Sequence, residues 1–540
     1  MKADPSEAQP VNPPPVDSSS PRRLSPWLLV LLAMAAPAVF AVVTGNIWED
    51  FFITYRSSLN LVHGDGFVFE TGRRLHVFTS PLGTLIPAGL AYLMHNDDPL
   101  AVMAAFRVLA CLALAGGWAL TAGRLSGPVA LGVTAALWLL DAKLAAYSTN
   151  GMETAFLVLF VMMAWRALVD GRMVLAGVAL GGAMWTRPDG FVFVGAVALG
   201  AMLFRGGPRL RFGDWLRMGW VSGIIYAPWF FWAWSYYGTP VPNTIKAKGT
   251  HLLSTDTLQV LATYPFRYVF GHCSAHDAFL PPYFFFGGWP DSLWWFGKVL
   301  ALAAAAVAFW PRCARPARIA GLAFILGGAY LSATTRAPWY FPAWQVLAYV
   351  AIGGGVAAIV QLPSMQGWKK RGVLGMVAGF VLVQAWLYIA VAVQLREQQR
   401  LIEWGLRAPL GRLMAQEAAS SRDTVFLESL GYIGFYSGLS MRDTPGLCSP
   451  EVIALRKAGV LSMSSLANAL RADWVVLRGM EYLRLSPEER ADLERSYRLW
   501  LVVDKRPQVE SVAWLPGRDF LLFDAYFTVW RRIIPPEQTP

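Results

Sequence analysis

Residues 27–56 read WLLVLLAMAAPAVFAVVTGNIWEDFFITYR. The segment Trp27–Gly45 contains 19 residues and no charged side chain, and this length is enough to cross the hydrocarbon core of a bilayer, which is about 30 Å thick. Arg22 and Arg23 precede the segment, and no small-residue cleavage site lies before Trp48. We therefore expect a membrane anchor that is retained in the protein, with its N-terminal end in the cytoplasm.

The composition of the whole chain agrees with a membrane location. Of 540 residues, 55% are hydrophobic and only 15% are charged, whereas an ordinary soluble domain contains about 25% charged residues. The net charge is +11, and most of the excess lies in short loops between apolar runs, which is typical of cytoplasmic loops rather than of a nucleic-acid interface. The loop cations are Arg22, Arg23, Arg205, Arg209, Arg211, Arg217, Arg312, Arg315, Arg318, Lys369, Lys370 and Arg371.

These patterns predict a polytopic α-helical membrane protein with about 11 transmembrane helices. Residues 1–26 are rich in Pro and Ser and are expected to form a disordered cytoplasmic tail; residues 27–395 form the membrane domain. The apolar stretch Pro81–Met94 is too short for a span, and we expect it to be interfacial or re-entrant. The predicted spans fall near 27–45, 101–121, 127–146, 153–168, 172–186, 190–204, 218–235, 291–310, 319–335, 341–360 and 373–393.

Residues 396–540 differ in composition and are predicted to form a soluble α/β domain. Apolar runs such as Val425–Leu427 and Trp474–Leu477 alternate there with helical stretches that contain charged residues. An odd number of spans places this domain outside the cytoplasm. The same side then carries two large outer loops, 48–80 and 236–290.

Two adjacent carboxylates, Glu49 and Asp50, lie where the first span ends. Ionisable side chains are energetically unfavourable at the edge of the hydrocarbon core, so their presence there calls for a structural or functional explanation. They are equally well explained as acidic residues that stabilise a helix N-terminus and as a general base whose pKa is raised by partial burial.

Several cations lie on the predicted outer side, although Lys and Arg are usually enriched in cytoplasmic loops. Lys246 and Lys248 follow a run of aromatic residues, and Arg336 lies in a short outer loop. Such cations suggest an anionic ligand and could stabilise a phosphate leaving group. Arg187 could bind a phosphate with Asp189 orienting it, or the two side chains could simply pair with each other.

Metal and disulfide sites are poorly supported by the sequence. His272–Asp277 contains possible metal ligands at close spacing but lacks the second half of a zinc site. An adjacent carboxylate pair such as Glu49 and Asp50 is insufficient to hold a divalent cation, so metal dependence stays open and no cofactor is assigned. Cys273 and Cys448 both fall on the predicted outer side and could pair.

Taken in order, several short blocks resemble the GT-C membrane glycosyltransferases, particularly the branch that contains the mycobacterial terminal β-(1→2) arabinofuranosyltransferase. The resemblance extends over nearly the whole chain. The blocks are Glu49-Asp50-x-x-Ile53-x-Tyr55-Arg56, Asn60-Leu61, Gly64-x-Gly66, Thr79-Ser80-Pro81-Leu82, Asn150-Gly151-Met152-Glu153-Thr154, Arg187-Pro188-Asp189-Gly190, Pro242-Asn243-Thr244-x-x-x-Lys248, Gly431–Ser437 and Asp443–Leu447.

This resemblance implies transfer of a sugar, with arabinofuranose the candidate suggested by this branch, from a polyprenyl-phosphate donor to a glycan or glycolipid acceptor of the cell envelope. Direct displacement of the phosphate predicts inversion at the anomeric carbon. The resemblance also implies an acidic catalytic residue in the first outer loop, Asp50 or Glu49, and chemistry on the outer face of the bacterial inner membrane. The residues expected to bind the donor phosphate are Arg56, Arg187, Lys246, Lys248 and Arg336. The residues expected to contact substrate are Tyr55, Glu153, Asp189, Asn243 and Tyr340.

Two departures from the family pattern matter. Relatives commonly have two aspartates where this chain has Glu49-Asp50, which leaves the identity of the base open. Residues 69–76 lack features of the arabinosyl branch, which leaves the sugar open. A transporter or flippase of lipid-linked sugars is the main alternative, and a non-catalytic assembly subunit is another; the paired broken helices typical of many transporters are not evident.

Overall fold

The computed structural model describes residues 26–208, 210–249, 255–334 and 337–533. The chain is mostly helical up to Gln398, with two short 3-10 helices at Phe284–Phe286 and Pro338–Tyr340. The helices of this part are α1 (Pro26–Thr44), α2 (Glu49–Val62), α3 (Pro81–Met94), α4 (Pro99–Ala122), α5 (Gly127–Leu139), α6 (Ala142–Thr149), α7 (Thr154–Asp170), α8 (Met173–Thr186), α9 (Gly190–Leu203), α10 (Phe212–Tyr237), α11 (Asn243–Ala247), α12 (Thr255–Val269), α13 (Ser274–Asp277), α14 (Leu293–Phe309), α15 (Arg315–Ala333), α16 (Pro342–Val360) and α17 (Trp368–Gln398).

Ten of the 11 predicted spans each fall on one helix, and the span at 127–146 is divided between α5 and α6. Fewer helices meet the length and composition expected of a membrane crossing. Within the described ranges, five helices do so: α1, α4, α15, α16 and the continuous helix that begins with α17. The count is six if α5 and α6, which are bent by 54° relative to each other, form one broken span. Helices such as α8 and α9, with 14 residues each, are shorter than the roughly 20 residues that a crossing requires. Eleven spans therefore stay a prediction.

The core of the helical part is built around α16. This helix is apolar on all sides and packs against α5, α14 and α15, which is the pattern of a helix surrounded by other helices. Close approach depends on small residues: a Cβ atom at Gly353 would lie 2.1 Å from Thr134 Oγ1. The resulting bundle is fixed by side-chain packing and not by hydrophobicity alone.

The C-terminal part contains a five-stranded mixed sheet, as the apolar runs predicted. The strand order is β2-β1-β3-β5-β4; β1 pairs in parallel with β2 and β3, while β5 pairs antiparallel with β3 and β4. Its elements are α18 (Ala408–Glu417), β1 (Thr424–Leu427), α19 (Gly431–Ser437), β2 (Ser440–Asp443), α20 (Pro450–Lys457), α21 (Met463–Leu470), β3 (Trp474–Arg478), α22 (Gly479–Arg484), α23 (Pro487–Ser496), β4 (Tyr497–Asp504), α24 (Arg506–Glu510), α25 (Arg518–Phe523) and β5 (Tyr526–Arg532).

Alternation of side chains along the strands gives the sheet two apolar faces. On β1, Phe426 belongs to one buried cluster, whereas Val425 and Leu427 belong to another. The cluster around Val425 also includes Ile53 of α2 and Phe69 of the first outer loop. The sheet is therefore packed directly against the segment that carries the predicted catalytic carboxylates.

A buried ion cluster joins the helical part to the sheet. Its centre is Arg407, the last residue of a π-helix (Gln399–Arg407) that connects α17 to α18. The Arg407 guanidinium lies 3.0 Å from Glu49 Oε2, 2.9 Å from Glu403 Oε1 and 2.8 Å from Asp524 Oδ2. Burial alone would raise the pKa of Asp524, but Arg407 and Arg478 beside it hold that pKa below its usual value. The cation thus keeps three carboxylates together.

Replacing Arg407 with Met should lower the free energy of unfolding by about 3–5 kcal/mol, because it leaves several buried carboxylates without their cation. Thermal unfolding of the detergent-solubilised protein would measure the loss. The matched control is Arg400→Met. Arg400 is an exposed arginine of the same π-helix, and it pairs with Glu397. Equal effects of the two substitutions would contradict the central position given to Arg407.

Candidate functional site

The start of α2 is fixed by backbone contacts from both sides. Trp48 N donates to Asn150 O at 2.9 Å, and Ile47 N donates to Gln399 Oε1 at 2.9 Å. Gly151, next to Asn150, has φ +97, and a Cβ atom there would lie 2.6 Å from the ring of Phe51, so only glycine fits this turn. The first residues of α2 are therefore held rigidly between the helical part and the C-terminal sheet.

Glu49 points into the C-terminal part. Its Oε1 accepts a hydrogen bond from Gly431 N at 3.1 Å, and its Oε2 pairs with Arg407. A Cβ atom at Gly431 would lie 2.2 Å from the carbonyl oxygen of Glu49, which explains a glycine in this block of the sequence. Burial raises the pKa of Glu49, and Arg407 opposes that rise. The structure places this carboxylate in a contact between the two parts of the chain.

Asp50 points into a cavity instead. Within the described residues, no hydrogen bond or ion pair engages its carboxylate, and the side chain is only partly exposed. Burial raises the pKa of Asp50 to about 6, and the nearby Lys248 cation opposes the rise. A carboxylate with this pKa is largely ionised at neutral pH and can accept a proton.

Four of the predicted site residues form one network at the edge of this cavity. Arg187 donates to Glu153 Oε1 at 2.9 Å and to Asp189 Oδ1 at 3.0 Å. It also hydrogen-bonds the hydroxyl of Tyr340, and its guanidinium lies 3.8 Å from the centre of the Tyr340 ring. Tyr330 donates to Asp189 Oδ2 at 3.0 Å. The intramolecular Arg187–Asp189 pair that the sequence left open is therefore present, inside a larger network.

The cavity itself is narrow. Its volume is about 60 Å³, so in this conformation it admits a group of a few atoms, and a whole sugar enters only if the wall moves. The side chains and backbone that line it come from the first outer loop, the α6–α7 turn, the end of α8, the segment around α11, and one loop of the C-terminal part. The lining residues are Asp50, Ile53, Thr54, Val77, Phe78, Thr79, Ser80, Gly83, Gly151, Met152, Glu153, Arg187, Thr244, Lys248, Trp339 and Leu447.

Of the predicted outer lysines, Lys248 lines the cavity and Lys246 does not. Both side chains are exposed. Arg336 lies outside the described residues. Among the predicted cations that the structure describes, Lys248 is the one that is exposed and also lines the cavity with Asp50.

Three other predicted residues do not line the cavity and bind backbone carbonyl oxygens instead. Arg56 donates to Gly434 O at 2.9 Å and to Leu439 O at 3.1 Å, so it binds backbone carbonyls of the C-terminal part. The hydroxyl of Tyr55 donates to the carbonyl oxygen of Asp97 at 2.9 Å. Asn243 lies beside the cavity, and its amide donates to two backbone carbonyls of the C-terminal part.

Four of the 16 lining residues, Asp50, Glu153, Arg187 and Lys248, were predicted as site residues. Thr244 and Trp339 are among those that the sequence did not identify. Thr244 belongs to the block Pro242–Lys248 quoted above, and membership of that block could have identified it as a site residue. Trp339 immediately precedes the predicted Tyr340. An aromatic residue at this point is common at a membrane interface, which is why its sequence context did not distinguish it.

A second, larger cavity of about 710 Å³ lies on the other side of Trp339. Six of its 13 lining residues are Phe, Trp or Tyr, and these include Tyr283, Phe285 and Trp294. His272, which was considered as a metal ligand, lies at this cavity with Nε2 2.8 Å from Asp277 Oδ1. Its size falls within the range of ligand-binding cavities.

The possible metal and disulfide sites have other contacts in the structure. The Nδ1 atom of His272 accepts a hydrogen bond from Trp294 Nε1 at 2.8 Å. Across the described part of the chain, no group of three or more His, Cys, Asp or Glu side chains is arranged to hold a metal ion. The thiol of Cys448 is buried and donates to Asp443 Oδ1 at 3.0 Å, so it is not paired with Cys273.

Comparison with known proteins adds one match. Residues 393–526 match a family model described as a domain of unknown function (DUF8728). The match includes Arg407, Glu403 and Asp524 and the C-terminal loop that reaches the cavity, but not α2 or Arg187. The chain matches no curated protein.

Asp50→Asn should leave the protein at least as stable as the wild type at neutral pH. The folded-state pKa of Asp50 is raised from 3.8 to about 6. The contribution of Asp50 to the free energy of unfolding therefore decreases as the pH rises from about 4 to 6. The Tm of Asp50→Asn relative to wild type should therefore increase over this range and level off above it. Thermal unfolding at several pH values would measure this.

The control for that experiment is Asp65→Asn, which alters an exposed carboxylate after the end of α2. We expect no comparable increase in relative Tm for this variant. A Tm of Asp50→Asn that falls relative to the wild-type Tm between pH 4 and 6 would contradict the environment described for Asp50.

Proposed function

We propose that the protein is an inverting membrane glycosyltransferase that moves a sugar from a polyprenyl-phosphate donor to a glycan or glycolipid acceptor of the cell envelope. The observation that carries the proposal is the pair formed by Asp50, a carboxylate with no bonded partner in the described residues, and Lys248, a cation in the same cavity. A base next to a cation is what transfer from a phosphate requires. The ordered sequence blocks that resemble GT-C enzymes supply the reaction class.

In the proposed reaction, Asp50 accepts the proton of an acceptor hydroxyl as its oxygen attacks the anomeric carbon of the donor sugar. The bond between that carbon and the phosphate oxygen breaks, and the phosphate leaves with the electron pair. Attack from the face opposite the phosphate inverts the anomeric centre. Lys248 offsets the negative charge that develops on the leaving phosphate.

Arg187 has a different position from Lys248. Because it already binds Glu153, Asp189 and Tyr340, its main effect is to hold the wall of the cavity in place. A contact between Arg187 and the donor phosphate stays a prediction, as do the phosphate contacts expected of Arg56 and Lys246.

Membrane topology follows from the distribution of basic loops. We propose that the N-terminus lies in the cytoplasm and that the cavity and the C-terminal domain lie on the outer face of the inner membrane. About 11 crossings would produce this arrangement. Arabinofuranose is one candidate sugar. The large aromatic cavity next to Trp339 offers an apolar surface to a membrane lipid or to a substrate.

The direct test is sugar transfer by the purified full-length protein from a panel of polyprenyl-phosphate sugars. Asp50→Asn should lower kcat about 10²- to 10⁴-fold, the range contributed by a general base, without a loss of Tm. Asp65→Asn is the matched carboxylate control and should transfer at the wild-type rate. Unchanged transfer by Asp50→Asn would refute the assignment of the base.

Glu49→Gln separates a catalytic from a structural carboxylate. Since both oxygens of Glu49 are bonded at the contact with the C-terminal part, this variant should lose Tm together with activity. Loss of transfer with an unchanged Tm in Glu49→Gln would instead identify Glu49 as the base.

The transfer rate should depend on pH through the same group. Because the base acts only when ionised and the pKa of Asp50 is about 6, kcat/KM should fall about tenfold for each pH unit below 6 and be nearly constant above 7. A rate that is flat down to pH 4.5 would contradict this expectation.

A further inference from the structure

Thr244 is the one residue in the cavity wall whose hydrogen-bonding group is both deeply buried and unused in the described part of the chain. Only 8% of the residue is exposed, and its Oγ1 has no hydrogen-bond partner. The residue lines the cavity together with Asp50 and Lys248. A buried hydroxyl without a partner costs stability, so its presence in a cavity points to a ligand that supplies the partner.

The position of Thr244 relative to Lys248 indicates the charge of that ligand. The two residues are four positions apart in and just after α11, which places them on the same side of a helical turn. Both line the cavity. A hydroxyl donor next to an ammonium group fits an anionic oxygen better than a neutral one.

The segment that carries both residues is held by the C-terminal part. Asn243 Nδ2 donates to Gly446 O at 2.8 Å and to Leu447 O at 2.9 Å, while Asn243 N donates to His76 O at 2.7 Å. The two carbonyls belong to a loop that Asp443 fixes by accepting from Leu447 N at 2.5 Å and Cys448 N at 2.8 Å.

This loop also reaches the site itself, because Leu447 lines the cavity. The C-terminal part therefore contributes one wall directly and determines the placement of a second wall, through Asn243. The hydrogen bonds of Asn243 thus join the outer loop 236–290 to the carbonyls of Gly446 and Leu447, which lie in the matched domain of unknown function.

We propose that the Thr244 hydroxyl binds a phosphate oxygen of the donor lipid, and that Asn243 is a positioning residue through which the C-terminal domain aligns Thr244 and Lys248 with that phosphate. The assignment deepens the proposed glycosyl transfer and rests on it for the identity of the phosphate. It gives the domain matched at 393–526 a direct role in the site.

The test compares two substitutions at one position in the full-length protein. Thr244→Val removes the hydroxyl and keeps the shape, whereas Thr244→Ser keeps the hydroxyl. Thr244→Val should lower kcat/KM for the donor about 10- to 100-fold, the effect of losing a hydrogen bond to a charged group. Its Tm should be unchanged or slightly higher, because a buried unpaired hydroxyl is replaced by a methyl group. Thr244→Ser should restore most of the activity.

A binding experiment makes the result independent of catalysis. A short-chain polyprenyl phosphate serves as the probe, and the polyprenol of the same length serves as the uncharged control. Thr244→Val should weaken binding of the phosphate about 10-fold or more and leave binding of the alcohol unchanged. Equal binding of the phosphate by wild type and Thr244→Val would overturn the assignment.

The two proposals can fail separately. If Asp50→Asn abolishes transfer while Thr244→Val transfers and binds like wild type, the assignment of Thr244 is wrong and glycosyl transfer stands. If no donor supports transfer but Thr244→Val selectively loses phosphate binding, the phosphate site stands and glycosyl transfer is wrong.

For Asn243, the informative quantity is the division of the effect between KM and kcat. Asn243→Ala should raise the donor KM several-fold, with a smaller change in kcat and none in the acceptor KM, because the phosphate contacts are misaligned while the base is untouched. A lower Tm with unchanged KM values would overturn the positioning role and leave a structural one.

Discussion

The contact between Arg407 and Glu49 is the interaction on which the arrangement of the site depends. It ties the first residue of α2 to a helix that leads into the C-terminal sheet, and Glu403 and Asp524 bind the same guanidinium. Successive residues of a helix point about 100° apart. Once Glu49 is fixed towards Arg407, Asp50 is necessarily directed elsewhere, and in this structure it faces the cavity.

The sequence located the carboxylate pair but could not distinguish its two members. Both are acidic, adjacent and at the end of an apolar run, and their difference arises from partners that are more than 350 positions away, Arg407 and Gly431. The same holds for Arg56 and Asn243: a polar side chain in an outer loop can bind a ligand or a distant backbone carbonyl, and local pattern does not separate the two. The sequence left open whether Arg187 pairs with Asp189 or binds a phosphate, and its bonds to Glu153 and Tyr340 depend on the packing of several helices.

The fold was predicted correctly where the pattern of apolar residues alone identifies a helix or a strand. Each apolar stretch proposed as a span is helical, although 127–146 forms two helices. The Val425–Leu427 and Trp474–Leu477 runs form adjacent parallel strands. The number of crossings is harder to derive, because an apolar helix of 14 to 17 residues can be buried by neighbouring helices or lie in lipid, and hydropathy is the same in both cases. The two-part organisation is visible in composition. The close contact between the parts is not, since it is made by single buried charges and by loop carbonyls.

The π-helix at Gln399–Arg407 has a consequence for how the chain tolerates changes in length. In a π-helix each backbone bond spans one residue more than in an α-helix, so deleting one residue here would restore ordinary helical geometry without breaking the helix. The deletion would remove a wide turn and shorten the spacing between Gln399 and Arg407 by one residue. Gln399, which accepts a hydrogen bond from Ile47 N, and Arg407, which pairs with Glu49, would then need a new relative position to keep both contacts. Insertions and deletions in the nearby exposed loops should be neutral by comparison. The length of this nine-residue π-helix therefore determines how the helices before it are placed relative to the sheet.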